Sequence, residues 1–229
     1  MAQITIENVT KTYAGDGGTV TAVESASLSV ERGDFLTIVG HSGSGKTTLL
    51  SMIGGIVHPS SGRLLFEGTD IFSLGSDGIS EYRCDRIGFM FQFASLLPML
   101  TAKENLLLPT LFSAAKKGGN GHSVEAKAEK LVRMVGLGDK LNAYPSQLSG
   151  GQQRRVAIAR AFMNGPAVIL ADEPTGDLDE ETEQDMMDFF KTMNEAEGIT
   201  FLMVTHNTDL AKQAKRRFRM HRGVLEEQA

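Results

Sequence analysis

Four residues in the stretch "GHSGSGKTT", Gly40 to Thr48, stand at the spacing GxxxxGKT: Gly40, Gly45, Lys46 and Thr47. Between them lie His41, Ser42, Gly43 and Ser44, and Thr48 follows. The small residues at 42 to 45 let successive backbone N–H groups turn inward around phosphate oxygens, and a helix starting there points its positive end at the same charge. The pattern predicts Lys46 along the outer phosphates and the Thr47 hydroxyl on Mg²⁺. Binding a nucleotide does not cleave it. Hydrolysis also needs a carboxylate for the metal and a polar group that orients the attacking water. "VILADE" supplies both at the end of an apolar run, with Asp172 suited to the metal, directly or through water, and Glu173 suited to the base. Gln92 and His206 end two further apolar runs, "IGFMFQ" and "FLMVTH", so strand ends in one parallel sheet would bring them to the same crevice. Tyr13 either stacks its ring on a purine or is simply packed at a strand end, and its chemistry leaves both readings open.

A second anion-binding loop lies far from the first. "LSGGQ", Leu148, Ser149, Gly150, Gly151 and Gln152, precedes a helix pattern with Val156, Ile158, Ala159 and Phe162 at the apolar positions. Ser149 is a natural N-cap, and the two glycines leave the first N–H groups bare. One nucleotide needs one such cradle. The economical resolution is that this loop serves a nucleotide held by another copy of the chain, two ATP molecules being clamped across a twofold interface.

The elements that must position these residues follow from hydrophobic periodicity. Alternation at Ile4 and Ile6, then at Ala26, Leu28 and Val30, predicts an N-terminal antiparallel sheet with one wet face. "FLTIV" (35 to 39), "AVILA" (167 to 171) and "TFLMV" (200 to 204) are continuous apolar runs, expected of strands covered on both faces. Leu49, Leu50 and Ile53, and Met186, Met187, Phe190 and Met193, recur at helical spacing. From Phe93 to about Gly165 the strand signal disappears. Helices are expected at 101 to 113 and 124 to 136, split by "KKGGNGHS", which predicts a helical lobe inserted in the sheet domain and a surface loop around Gly118 to Gly121. "FRMHRGVL" predicts a final short hairpin. The fold class is therefore α/β, a P-loop nucleotide-binding core of mostly parallel sheet, with an antiparallel β subdomain and an inserted α-helical subdomain at roughly 93 to 165, all in one domain spanning 1 to 229.

Composition narrows the partners. The chain has 229 residues, 41% of them hydrophobic, enough for a sizeable core. Its net charge of -5 offers no basic field for nucleic acid, and the cluster Lys212, Lys215, Arg216, Arg217 and Arg219 reads as a solvated face. Cys84 is the sole cysteine, so no intrachain disulfide forms and a reducing compartment is the simpler reading. The N-terminal residues lack the apolar core of a signal peptide, and no apolar run approaches the roughly 20 residues of a membrane span. Any membrane role is expected to come through a partner.

"GHSGSGKTT", "LSGGQ", "VILADEPT", "GDLD" and "VTH", in this order, resemble the ATP-binding cassette ATPases, and the resemblance covers essentially the whole chain. It implies a head-to-tail homodimer in which Ser149 and Gly151 of one subunit approach the γ-phosphate on the other. It implies further that Tyr13 stacks on adenine, Gln92 senses the metal and contacts the membrane partner, Asp179 links the two sites, and His206 holds the γ-phosphate. "IGFMFQFASLLPMLTAKENLLLP" and "YPSQLSGGQQRRVAIARA" are similar to the lipoprotein-release and macrolide-export group, with its cell-division relatives. The chain departs from that group at Phe93-Ala94, at Arg154 where glutamine is usual, and at Asp177 where asparagine is usual. The resemblance implies an ATPase at the cytoplasmic face of the cell membrane that, through integral membrane subunits, powers export or membrane release of a substrate. The alternative it leaves open is a transmembrane signalling motor that moves an extracytoplasmic domain and carries nothing. A soluble cassette of DNA repair or translation would bring a second cassette, a coiled coil or zinc-binding cysteines, and a small-molecule kinase has no use for the second loop.

Overall fold

The computed structural model describes residues 2–15, 18–113, 121–176 and 178–228. Two sheets organise them. A four-stranded antiparallel sheet has the order β2-β1-β4-β5, with β1 Ile4–Gly15, β2 Gly18–Val30, β4 Ser61–Phe66 and β5 Thr69–Asp70. A six-stranded sheet has the order β10-β9-β3-β8-β7-β6, with β3 Phe35–Val39, β6 Ile87–Met90, β7 Val168–Asp172, β8 Thr200–Thr205, β9 Arg216–His221 and β10 Val224–Gln228. Its strands run parallel except β10, which closes the expected C-terminal hairpin on β9.

The continuous apolar runs have a structural cause. Alternate residues of β3, β7 and β8 enter two different cores. Leu36, Ile38, Val168, Leu170, Leu202 and Val204 face the antiparallel sheet and α1 (Lys46–Ile53), packed with Ile4, Ile6, Leu49 and Met52. Phe35, Ile169, Ala171, Phe201 and Met203 face the other way, against α5 (Gly150–Ala161) and α6 (Glu180–Glu197) through Ile158, Phe162, Met186 and Phe190. A strand buried on both faces has no polar register, so its sequence does not alternate.

Between β6 and β7 no described residue is in a strand. This stretch holds α3 (Ala102–Phe112), α4 (Gly121–Met134) and α5. Thr101 caps α3 in a reciprocal pair with Glu104, and Ser149 caps α5 in the same way with Gln152. Among the described residues the remaining α-helices are α2 (Gly75–Glu81) and α7 (Thr208–Ala211).

The structure corrects several boundaries. α4 already includes Gly121, the first described residue there, where 124 was expected, and it ends at Met134 rather than 136. β7 runs one residue further than expected and includes Asp172. Residues 118–120 of the anticipated surface loop, and Asp177, lie outside the described residues. The basic cluster near the C-terminus is partly paired: Arg216 meets Asp34 at 3.0 Å and Glu227 at 2.9 Å, and Lys212 meets Asp209 at 2.7 Å.

Candidate active site

The turn after β3 wraps tightly because two glycines let it. Gly45, the N-cap of α1, has a φ of 108°, and a Cβ built on it would stand 2.1 Å from the Ala22 carbonyl oxygen. Gly40 is equally confined, its imagined Cβ lying 2.3 Å from the Met220 carbonyl oxygen. The turn is thus boxed by β2 and by the C-terminal hairpin, where the Gly223 N–H donates to the Ser44 carbonyl at 3.0 Å. Inside the box Lys46 Nζ donates to the carbonyls of Gly40 (2.7 Å) and His41 (3.0 Å). Burial lowers the Lys46 pKa, while the nearby carboxylates of Glu173 and Asp172 oppose that drop.

A cleft of about 230 Å³ opens here, lined by Ser42 through Thr48, Gln92, Asp172 and Glu173, with Ala22 at its edge. Thr47 Oγ1 donates to Asp172 Oδ2 at 2.8 Å, joining the turn after β3 to the last residue of β7. Burial raises the Asp172 pKa first. The Thr47 hydrogen bond and the positive charges of Lys46 and Arg154 pull it back, while Glu173 pushes it up. Glu173 stands just past the strand in a left-handed conformation, φ 47°, with its N–H on the Val204 carbonyl at 2.9 Å. Its Oε2 lies 2.7 Å from Nδ1 of His206, which follows β8. The ends of β3, β6, β7 and β8 thereby deliver Lys46, Gln92, Asp172, Glu173 and His206 to one place, at the carboxyl edge where α/β sheets bind ligands.

A magnesium-bound triphosphate fits this place. The Ser44 hydroxyl is buried without a hydrogen-bond partner, a polar atom left over at the floor of the turn. Among the described residues no group of three or more His, Cys, Asp or Glu side chains could hold a metal by itself. Thr47 and Asp172 supply two oxygens. That suits Mg²⁺, which is bound by one or two protein oxygens together with phosphate oxygens and water.

Other sequence-predicted residues lie elsewhere. Tyr13 sits on β1, 44% exposed, with Lys11 Nζ 5.0 Å from its ring centre, and it is not part of the cleft lining. Leu148 to Gln152 are likewise outside that lining; Ser149 is exposed and spends its hydroxyl on the Gln152 N–H at 3.2 Å. Asp179 is the N-cap of α6, accepting from Thr182 N at 3.0 Å and Thr182 Oγ1 at 2.8 Å, and the backbone bond is the main cause of its lowered pKa.

Sequence reasoning gave no role to Arg154 or Arg160. Both emerge from α5 and donate to the backbone around Gln92. The available signal was Arg154 standing where glutamine is usual, and it names no partner.

A parallel sheet with a lysine-bearing glycine turn after one inner strand, β3, and a carboxylate at the end of the next strand but one, β7, defines a P-loop nucleoside-triphosphatase. The ABC transporter family model matches residues 23–176, and the chain belongs to that family. The lipoprotein-releasing system ATP-binding protein LolD of Syntrophus aciditrophicus is 40% identical over 222 residues, 97% of this chain and 98% of that protein. The macrolide export ATP-binding/permease protein MacB of Syntrophobacter fumaroxidans is 42% identical over 226 residues, 99% of this chain and 31% of MacB. The chain spans about a third of the length of the macrolide-export relatives it matches. Among solved structures, the ATP-binding cassette MJ0796, in a dimeric post-hydrolysis state bound to ADP and Pi, superposes with a TM-score of 0.91 at 38% identity, covering 98% of each chain.

Proposed function

We propose that this chain is the ATP-hydrolysing subunit of a membrane transporter. The observation that carries this reading is the meeting of Lys46, the Thr47–Asp172 pair, Gln92 and Glu173 in one cleft, with His206 outside its lining but held on the Glu173 carboxylate. Lys46 and the N–H groups of residues 42 to 48 would hold the phosphates, and Thr47 and Asp172 would hold Mg²⁺ with Gln92 sensing it, the ion supplying positive charge against the phosphates. Glu173 accepts the proton of the attacking water. His206 keeps that carboxylate oriented and contacts the γ-phosphate. Tyr13 stacks on adenine, which requires it to turn from Lys11 toward the cleft mouth.

Leu148 to Gln152 cap the nucleotide of a second copy, and Asp179 of each copy links the two sites. Their distance from this chain's own cleft lining supports that assignment, as does the dimeric state named for MJ0796. We assign residues 93 to 165 to a helical subdomain that carries this cap. Integral membrane subunits dock on a groove of about 430 Å³ beside Gln92, lined by Phe89, Phe91, Leu97, Leu108 and Phe112. Phe112 is more than 70% exposed there, as is Phe93 two residues past the lining Phe91, a covering by apolar surface being the economical use of such a rim. No described helix is long and apolar enough to cross a membrane, so the chain would sit at the cytoplasmic face through those subunits. The names of its relatives support export or membrane release of a lipoprotein or macrolide-like substrate over signalling without cargo.

Glu173→Gln tests the centre of this reading. It keeps the shape and removes the base, so the variant is expected to accumulate as an ATP-bound dimer by size-exclusion chromatography, with turnover lost. Steady-state hydrolysis at the unaltered rate would reject Glu173 as the base.

A further inference from the structure

Arg154 is 3% exposed, and its guanidinium reaches four carbonyls just past two separate strand ends. Nε donates to Pro174 at 2.7 Å, one terminal nitrogen to Phe91 at 2.9 Å and also to Gln92, and the other to Glu173. Six residues along the same helix, Arg160 donates to Ala94 at 3.0 Å and Ser95 at 3.1 Å. The backbone from 91 to 95 is therefore held at both ends by α5.

Two of the gripped residues are in conformations that side chains disfavour: Glu173 has a φ of 47° and Ser95 a φ of 46°. Such residues persist only where the surroundings over-determine them. The fork geometry of arginine matters here, because one rigid plane fixes the distance between the carbonyls it serves. Glutamine, with one amide nitrogen on a shorter stem, can serve two of them at most.

We propose that Arg154 is a positioning residue that locks the backbones of Gln92 and Glu173 to the first turns of α5, so that the metal-side and base-side groups move as one body with the Ser149 cap. Resting on the ATPase reading above, the inference deepens it: engagement of Ser149 by a second copy's nucleotide is transmitted to this chain's own hydrolytic carboxylate through one guanidinium.

The test compares the unaltered chain with Arg154→Met, of similar length but donating nothing, and Arg154→Gln, which restores two donors. The readouts are the Kd for a fluorescent ATP analogue with Mg²⁺, and kcat and KM for ATP. Arg154→Met is expected to keep Kd within about twofold and to lose about ten- to a hundredfold in kcat, as an ångström of misplacement does. Arg154→Gln is expected to recover part of that loss. A kcat unchanged in Arg154→Met, or a loss that Arg154→Gln leaves unrepaired, overturns the proposal. Should Arg154→Met fail to fold, amide hydrogen exchange of the unaltered chain decides: Mg-ATP must slow residues 91–95, 150–155 and 173–176 together, and protection of 150–155 alone overturns it. An unaltered chain that does not hydrolyse ATP would instead refute the functional reading, whatever the variants do.

Discussion

Gly45→Ala is a severe test of how the phosphate turn is built. The new Cβ would stand 2.1 Å from the Ala22 carbonyl oxygen and 2.9 Å from the Met220 methyl, and it would carry a φ of 108°. The methionine can swing away. A strand carbonyl cannot, and to reach the 3.0 Å that Cβ atoms tolerate the turn must retreat by about 0.9 Å. A disfavoured backbone conformation costs about 1–3 kcal/mol, and overpacking a confined site costs about as much again. The turn can relieve both by opening, which tilts its N–H groups off the phosphate oxygens. If half of the combined cost, about 1–3 kcal/mol, falls on the bound state, affinity drops about five- to 150-fold. Titration of a fluorescent ATP analogue with Mg²⁺ measures this directly, and thermal unfolding reads the share borne by the fold. Gly33→Ala is the control: it has a φ of 75° with nothing within 4 Å, so it should lower Tm slightly and leave affinity alone. If Gly45→Ala bound nucleotide within twofold of the unaltered chain at an unchanged Tm, the box around the turn would not exist as described.

Asn105, fully buried, accepts from Leu97 N and donates to the carbonyls of Leu97, Leu100 and Thr101, so Asn105→Ala should cost about 1–3 kcal/mol by leaving those groups unpaired. Urea unfolding is the measurement, and an unshifted midpoint would mean that water replaces the side chain. Tyr82, whose pKa burial raises, donates its hydroxyl to the Ile53 carbonyl at 2.8 Å near the end of α1. Tyr82→Phe should lower stability by about 0.5–1.5 kcal/mol with nucleotide affinity unchanged; a weakened affinity would show that the far end of α1 controls the turn at its start.

Much of the site was legible because its chemistry is local. Lys46 and Thr47 follow the turn that aims them, Ser149 caps the helix it begins, and Asp172 ends a strand whose two-sided burial shows as an unbroken apolar run. Features set by distant backbone were not legible. β4 opens with the exposed Ser61, Gly62 and Arg63, which pair with β1 rather than pack, so its apolar content is too small to announce a strand. α4 already includes Gly121 to Ser123, inside a stretch whose composition reads as a loop, because a helix can tolerate poor formers when its later turns are anchored by Ala128, Leu131 and Val132. Arg154 was visible as a departure from its relatives, but the carbonyls it meets belong to residues far from it in sequence.

The C-terminal hairpin has a consequence for biosynthesis. Gly223 spans from the Ser44 carbonyl to the Glu24 N–H, 2.9 Å, and Met220 closes over Gly40 and Gly45. On the ribosome, the lysine-bearing turn is translated early, yet one of its two walls does not exist until β9 and β10 have emerged from the exit tunnel. Nascent polypeptides stalled before that point should hold ATP poorly, so nucleotide binding would favour molecules whose synthesis has passed β10.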